Sequence, residues 1–280
     1  MKTQAQLAAE QAAFWNGPGG QGWLAAHDRI ERSIAGFSRE VMVAAAARPG
    51  ERVLDIGCGT GGTTVELARL VAPGGSALGV DISQPLIAAG RARLEPRASF
   101  EIGDVTTFAF VPDSFDLVFS RFGVMFFADP LAAFRNLSRA IKPGGRLVFI
   151  CWRLARENPW MGVPIQAATP HLPPTERPGP EEPGQNSFGD RARVERILVG
   201  AGFGAPSFRP VDLPIIIGTD VANTVDNLVA FGPLARQFRE ATPDQATKAK
   251  AAIAEAVTPF AGPSGVSLAG ACWLVNAAAR

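Results

Sequence analysis

The chain contains no tyrosine, so no phenol is available as a proton donor or hydrogen-bonding catalyst. Its three cysteines, Cys58, Cys151 and Cys272, lie far apart and form no C-x-x-C pair, and its two histidines, His27 and His171, are equally scattered. That spread argues against a zinc cluster and fits buried thiols in a reducing compartment, so no metal is expected. Neither charge dominates: 27 basic residues face 26 acidic ones, for a formal net of +1. With no long basic run, the electrostatic footprint of a nucleic-acid binder is missing. The N-terminal "MKTQAQLAAEQAAFW" is polar and carries Glu10 where a signal peptide needs an apolar run. The uncharged stretch from Ala256 to Ala279 is broken by Pro259, Gly262, Pro263, Gly265 and Asn276. It lacks the continuous apolar run of about 18 residues that a membrane span requires. A buried strand preceded by a turn is expected there. These absences predict a soluble, cytoplasmic protein whose partner is a small molecule; a homodimer is left open.

What is present is a large apolar complement. Hydrophobic residues make up 47% and charged ones only 19% of 280 residues, enough for a core with a smaller appendage. From Glu51 to Trp152, the runs "RVLDIG", "SALGVD", "SFEIGD", "FDLVFS" and "RLVFICW" alternate with helix-like segments. Near-continuous apolar runs are those of parallel strands covered on both faces, and the β-α spacing predicts a doubly wound α/β sheet. Ser83 is placed to cap one helix, and Asp129 with Pro130 to begin another. Residues 1–50 read as a helical lid of two helices around "NGPGGQG", and 51–152 as the core. Residues 153–188, dense in proline, read as an irregular insertion of the kind that forms lids and binding loops. Residues 189–280 complete the sheet, with a helical cap insertion at 219–262. Within it, Ala246, Ala249, Ile253, Val257 and Phe260 recur at helical spacing.

The loop "VLDIGCGTGGTT" satisfies two glycine patterns. Gly57, Gly59 and Gly62 make the dinucleotide spacing G-x-G-x-x-G; Gly57, Gly59 and Gly61 make the tighter G-x-G-x-G. The neighbouring acids separate them. Asp55, two residues before Gly57, would repel a pyrophosphate at the helix N-terminus but would suit an ammonium and a cationic sulfur. Asp81, 24 positions after Gly57 at the end of "GVD", can accept both ribose hydroxyls of either cofactor. Asp104, after Gly103 in "EIGDV", can accept the exocyclic amine of adenine. A helix cap or surface charge would explain any one of these acids; three in register describe a ligand with ammonium, ribose and aminopurine groups.

"VLDIGCGTGG", "GVDIS", "GDV", "FDLVFSRFGVMFF" and "AIKPGGRLVF" together resemble, in order and spacing over about 51–152, the motifs of the class I S-adenosylmethionine-dependent methyltransferases. "FWNGPGGQGW" and "ACWLV" resemble a bacterial small-molecule branch of that superfamily. The resemblance implies a Rossmann-like seven-stranded sheet with an antiparallel last strand, its final hairpin drawn from 207–217 and 266–278. It also implies S-adenosylmethionine as cofactor and S-adenosylhomocysteine as product. Carried over position by position, Gly57, Cys58, Gly59 and Gly61 would wrap the methionine part, with Asp55 near its amino group. Asp81 would take the ribose, with Ile82 against the adenine; Gly103, Asp104 and Val105 would hold the adenine edge. Ser120 and Arg121 would lie beside the methionine and face the acceptor.

Methyl transfer from a sulfonium needs a base only if the nucleophile must lose a proton. His27 in the lid and Arg121, as an anion-binding group, are the candidates; for both, packing or a backbone contact is the plainer explanation. An amino-methylating DNA motif is absent after the fourth strand, where "SRFGVMFF" stands, and no Pro-Cys dipeptide exists. Acidic metal ligands are missing there too. Trp15, Trp23, Phe122, Met125, Trp152 and Trp160, beside Phe14, Phe126 and Phe127, suit a flat, largely apolar acceptor pocket, aromatic or quinone-like, although ordinary core filling accounts for many such residues. The competing readings are a protein of the same fold that binds the sulfonium without methylating, and a nicotinamide oxidoreductase.

Overall fold

The computed structural model describes residues 2–175, 179, 181–230 and 232–279. Two helices begin the chain, α1 (Gln4–Asn16) and α2 (Pro18–Ala45). Thr3 and Gln6 close a reciprocal cap on α1, and Pro18 opens α2 at a position where its missing N–H costs nothing. The bend between them is confined to Gly17; Gly19 and Gly20 of "NGPGGQG" are already helical and buried.

The core then alternates strand and helix: β1 (Arg52–Ile56), α3 (Gly62–Leu70), β2 (Ser76–Asp81), α4 (Gln84–Arg91), β3 (Ala98–Ile102), β4 (Phe115–Arg121), α5 (Pro130–Ala140) and β5 (Ile141–Trp152). Next come α6 (Pro159–Ala168), α7 (Arg191–Gly200), β6 (Ser207–Gly218), α8 (Val221–Ala230), α9 (Ala235–Glu240), α10 (Pro243–Val257), the two-residue β7 (Ala261–Gly262) and β8 (Gly265–Ala278). The sheet runs β3-β2-β1-β4-β5-β8-β6, with β7 paired to β8. Strands β1 to β5 are parallel, and β8 is antiparallel to both β5 and β6. This is the expected doubly wound sheet with an antiparallel last strand. The two-residue β7 is an eighth, marginal strand folded back on the start of β8 by a tight turn.

Val53, Leu54 and Ile56 of β1 and Leu117, Val118 and Phe119 of β4 are fully buried, as central parallel strands must be. Strand order reverses between β1 and β4, and the crevice of an open α/β sheet lies outside the carboxyl ends of its strands at such a point. Helix α2 packs along β5 and β6 and roofs that crevice, with α1 lying against it. On the far side, α8 packs on β6, and α10 on α6 and α8.

Two sequence expectations are corrected. The segment 153–188 is not irregular throughout: it contains α6, whose "PWMGVPIQAA" is apolar on all sides and hides its period, with Pro164 inside it. Glu176, Arg177, Pro178 and Pro180 of that segment lie outside the described residues. Ser83 stands at the N-cap position of α4 as expected, but its hydroxyl makes no capping bond and donates instead to the Trp15 carbonyl, tying α1 to the loop after β2.

Candidate active site

The glycine loop between β1 and α3 resolves the ambiguity of its two patterns. Gly57, Gly59 and Gly61 adopt φ of +65°, +56° and +75°, the left-handed region that favours glycine. Gly62 is ordinary helix with open space around it, so nothing in the fold requires a glycine there. The physical pattern is therefore G-x-G-x-G. At Gly57 a Cβ would stand 2.7 Å from the Cα of Gly123, so the loops after β1 and β4 touch backbone to backbone. At Gly59 the nearest neighbour, Trp23 Nε1, is 4.0 Å away, and the backbone faces open space.

Asp81 organises this loop. Its Oδ2 accepts from the Gly59 N–H (2.8 Å) and its Oδ1 from the Ser83 N–H (2.9 Å). Burial pushes its carboxyl up, with the Ser83 and Gly59 N–H groups opposing. Asp104 turns the chain after β3, with Oδ1 accepting from the Thr106 N–H at 2.8 Å. Asn136 on α5 donates to the Val105 and Phe108 carbonyls, both at 2.8 Å, and fixes that loop from behind.

A cavity of about 250 Å³ opens over these strand ends. Gly57, Cys58, Gly59, Asp81 and Ile82 line it, joined by Gly103, Asp104 and Val105. Trp15 of α1 and Trp23 of α2 also wall it, meeting edge to face with centroids 6.3 Å apart. Opposite, Phe122 stacks on Trp152 at 4.5 Å and 15°, and Trp152 meets Trp160 at 4.9 Å. Phe122 holds a φ of +64°, unusual for a bulky residue, and this turns its ring into the slab. Met125 also lines the space, its sulfur accepting from the Trp152 N–H at 3.4 Å.

Four residues singled out from the sequence do not line the cavity. Gly61 packs under the loop, where a Cβ would meet Phe100 at 2.3 Å. Ser120 is buried, its hydroxyl donating to the Ile56 carbonyl at 2.7 Å, so it joins β4 to β1 instead of facing an acceptor. Asp55 is fully buried, with Oδ2 accepting from the Thr63 and Thr64 hydroxyls at 2.7 Å each. Its Oδ1 has no partner, and burial raises the carboxyl to about 6 despite those two hydroxyls and the charge of Arg121. His27 borders an outer depression, with Nδ1 3.4 Å from Thr60 Oγ1 and Nε2 3.4 Å from Arg93. The geometry gives it no access to the cavity.

Arg121 does line the cavity, but its guanidinium is engaged. Nη1 and Nη2 donate to the two oxygens of Glu31 on α2 at 2.7 and 2.5 Å, and Nη1 also to Ser38 at 2.8 Å. Burial would raise Glu31, yet the Arg121 bond and charge outweigh it and hold that carboxyl below its ordinary range.

Residues the sequence gave no reason to choose include Glu31, and Arg29 and Asn227, which meet from α2 and α8. A buried hub was also missed: Asn158 Oδ1 accepts from the Ala271 N–H and from Trp160 Nε1, and so orients that indole. The only available signal for Arg29, Glu31 and Ser33 was charge and polarity recurring inside the otherwise amphipathic α2.

Residues 53–145 match a family described as the methyltransferase domain. That stretch of the chain, which holds β1 to α5 and the glycine loop, is thus similar to a methyltransferase domain. It is 40% identical over 112 residues to a demethylmenaquinone methyltransferase from Mycobacterium sp. (strain KMS), covering 40% of this chain and 46% of that one. The chain thus spans less than half the length of the curated relatives it matches. Among solved structures, the YcgJ protein of Bacillus subtilis aligns with a TM-score of 0.57 at 19% identity, over 88% of this chain and 99% of that one. The [4+2]-cyclase SpnF aligns with a TM-score of 0.51 at 20% identity, over 86% and 79%. At such identities the likeness is one of fold. Among the described residues, no helix is long and apolar enough to cross a membrane.

Proposed function

We propose that this methyltransferase transfers a methyl group from S-adenosylmethionine to a small, flat, largely apolar acceptor, aromatic or quinone-like, without a metal. The observation that carries this is the continuity of one cavity, from the acids Asp81 and Asp104 at one end to the Phe122–Trp152–Trp160 slab at the other. A nucleoside with a charged amino-acid tail fits the first end. Gly59 leaves room there, and Ile82 and Val105 supply apolar edges.

In this reading Asp81 accepts the ribose hydroxyls, Asp104 the adenine amine, and the Gly57–Gly59 backbone receives the methionine portion. When bound, the cofactor supplies an electrophilic methyl on a cationic sulfur. The chain's own work is positioning and exclusion of water. Trp15 and Trp23 close one side, and the stacked Phe122 and Trp152, with Trp160 tilted against them, form an aromatic wall for the acceptor's ring. No proton transfer is assigned to His27, which lies outside the cavity, nor to Arg121, which Glu31 neutralises. The sequence from Arg121 to Phe127 offers no carboxylate to a metal, which supports the metal-independent form. The name of the mycobacterial relative, a demethylmenaquinone methyltransferase, supports a quinone-like acceptor.

A protein of this fold that holds the cofactor without transferring its methyl is the second reading, favoured by the fold shared with a cyclase. Methyl-labelled S-adenosylmethionine incubated with a panel of hydroxy-aromatic and quinol acceptors separates the two. Label moving into an acceptor supports transfer; tight cofactor binding with no transfer to any acceptor favours the second.

A further inference from the structure

We propose that the cavity selects an acceptor bearing an acidic oxygen on its flat apolar body, and that Arg29 is the residue that recognises it. This deepens the reading above and rests on it. Among the described residues, the charged groups lining the cavity are Arg29, Glu31, Asp81, Asp104 and Arg121. Glu31 and Arg121 satisfy one another. Asp81 and Asp104 sit at the nucleoside end on backbone N–H donors. That leaves Arg29, whose guanidinium donates to the neutral Oδ1 of Asn227 and has no carboxylate within 4.0 Å among the described residues.

A guanidinium carries five N–H donors, and one amide oxygen leaves most of them unused. Its surroundings are apolar: Ile30, Ile34, Ile217 and Leu228 line the same space. Burial there pulls the Arg29 pKa down, with no acid offsetting it. Arg29 is only partly buried, so the donors that the amide leaves unused are open to an anionic ligand. Asn227 cannot drift off to make room, since its amide donates to the Ile217 carbonyl (2.8 Å) and to Asn223 Oδ1 (3.1 Å). The guanidinium is therefore held in place by a neutral group, with donors to spare.

The neighbouring charge is of the same sign. Arg29 also borders the outer depression, where Arg32 and Arg93 stand with the single acid Asp28. Clustered cations raise the local concentration of anions. An acidic aromatic ligand is thus favoured, with the Phe122–Trp152 pair lining the same cavity as Arg29.

The test uses two shape-matched probes, 2-naphthoate and the neutral 2-naphthamide. Their binding is measured by calorimetry on the full-length protein, with and without S-adenosylhomocysteine. The proposal expects naphthoate to bind at least about tenfold more tightly, the scale of one charge-assisted bidentate contact. Arg29→Met should bring that ratio close to one while leaving naphthamide affinity and the melting temperature unchanged, and Arg29→Lys should keep part of it. A ratio near one in the unaltered protein, no naphthoate binding, or a preference that survives Arg29→Met would overturn the proposal. Failure of the methyltransferase reading shows separately, as absence of S-adenosylhomocysteine binding, while the naphthoate preference is still measured without it.

Discussion

Arg121 at the end of β4 grips both carboxylate oxygens of Glu31 on α2, at 2.7 and 2.5 Å, across the roof of the cavity. One ion pair therefore ties α2 to the sheet beside the cavity. The Arg121 side chain is only 11% exposed, so losing its partner strands a charge in low dielectric. Glu31→Ala should destabilise the fold by about 2–4 kcal/mol, with Glu31→Gln milder because it keeps an acceptor. Glu31 is held below its ordinary pKa of 4.5. Its contribution is thus present above that value and is lost as pH falls through the lower folded one. Denaturant midpoints measured between pH 7 and pH 3 should show an acid loss that Glu31→Gln lacks; parallel profiles for the two proteins would remove the pair from the account.

The three-glycine pattern predicts a graded series. Gly57→Ala forces a Cβ against the Gly123 backbone and should unfold or displace the loop. Gly59→Ala meets no clash and carries only the left-handed strain of about 1–2 kcal/mol, so it should fold yet bind cofactor poorly. Gly62→Ala should be neutral or gain about 0.5–1 kcal/mol. Thermal melts with S-adenosylhomocysteine titrations rank the three. A Gly62→Ala variant as damaged as Gly57→Ala would restore the dinucleotide spacing.

Asp55 gives stability an unusual slope. A carboxyl raised from 3.8 to about 6 stabilises the fold only while protonated. That contribution is complete below 3.8 and gone once pH exceeds about 6, amounting to about 3 kcal/mol at most. The unfolding free energy of the unaltered protein, taken relative to that of Asp55→Asn, should therefore fall from pH 4 to pH 7. An identical slope in both would show that Asp55 does not titrate in this window.

Asp81 serves two masters, the Gly59 N–H and the ribose of the proposed cofactor. Asp81→Ala should weaken S-adenosylhomocysteine binding by about 1.5–3 kcal/mol, the scale of hydrogen bonds to a charged group. Unchanged affinity would remove the ribose assignment.

Much of this was legible in the sequence because strand-end chemistry is local. A parallel strand buried on both faces announces itself as an apolar run, and the residue that ends it must face the crevice, as Asp81 does. Strand β8 was readable for the same reason, while its antiparallel direction came only from the family resemblance. What escaped was decided by packing between distant segments. Helix α6 hid because it is apolar on every side. Asp55 and Ser120 sit on the right strands, but side chains alternate, and both point into the sheet's buried layers. Arg121 suggested an anion site until the fold brought Glu31, 90 positions away, onto it. Arg29, the cavity-lining cation with no acid beside it among the described residues, was invisible for the same reason: only the folded chain shows which charges find partners.

The central claim is that this loop and its acids hold a sulfonium nucleoside. Calorimetric titration of the purified protein with S-adenosylmethionine, S-adenosylhomocysteine and NADH tests it most directly. The account predicts saturable binding of the first two, with dissociation constants on the order of micromolar, and no heat from NADH. Binding of NADH alone would contradict it and return the loop to the dinucleotide class.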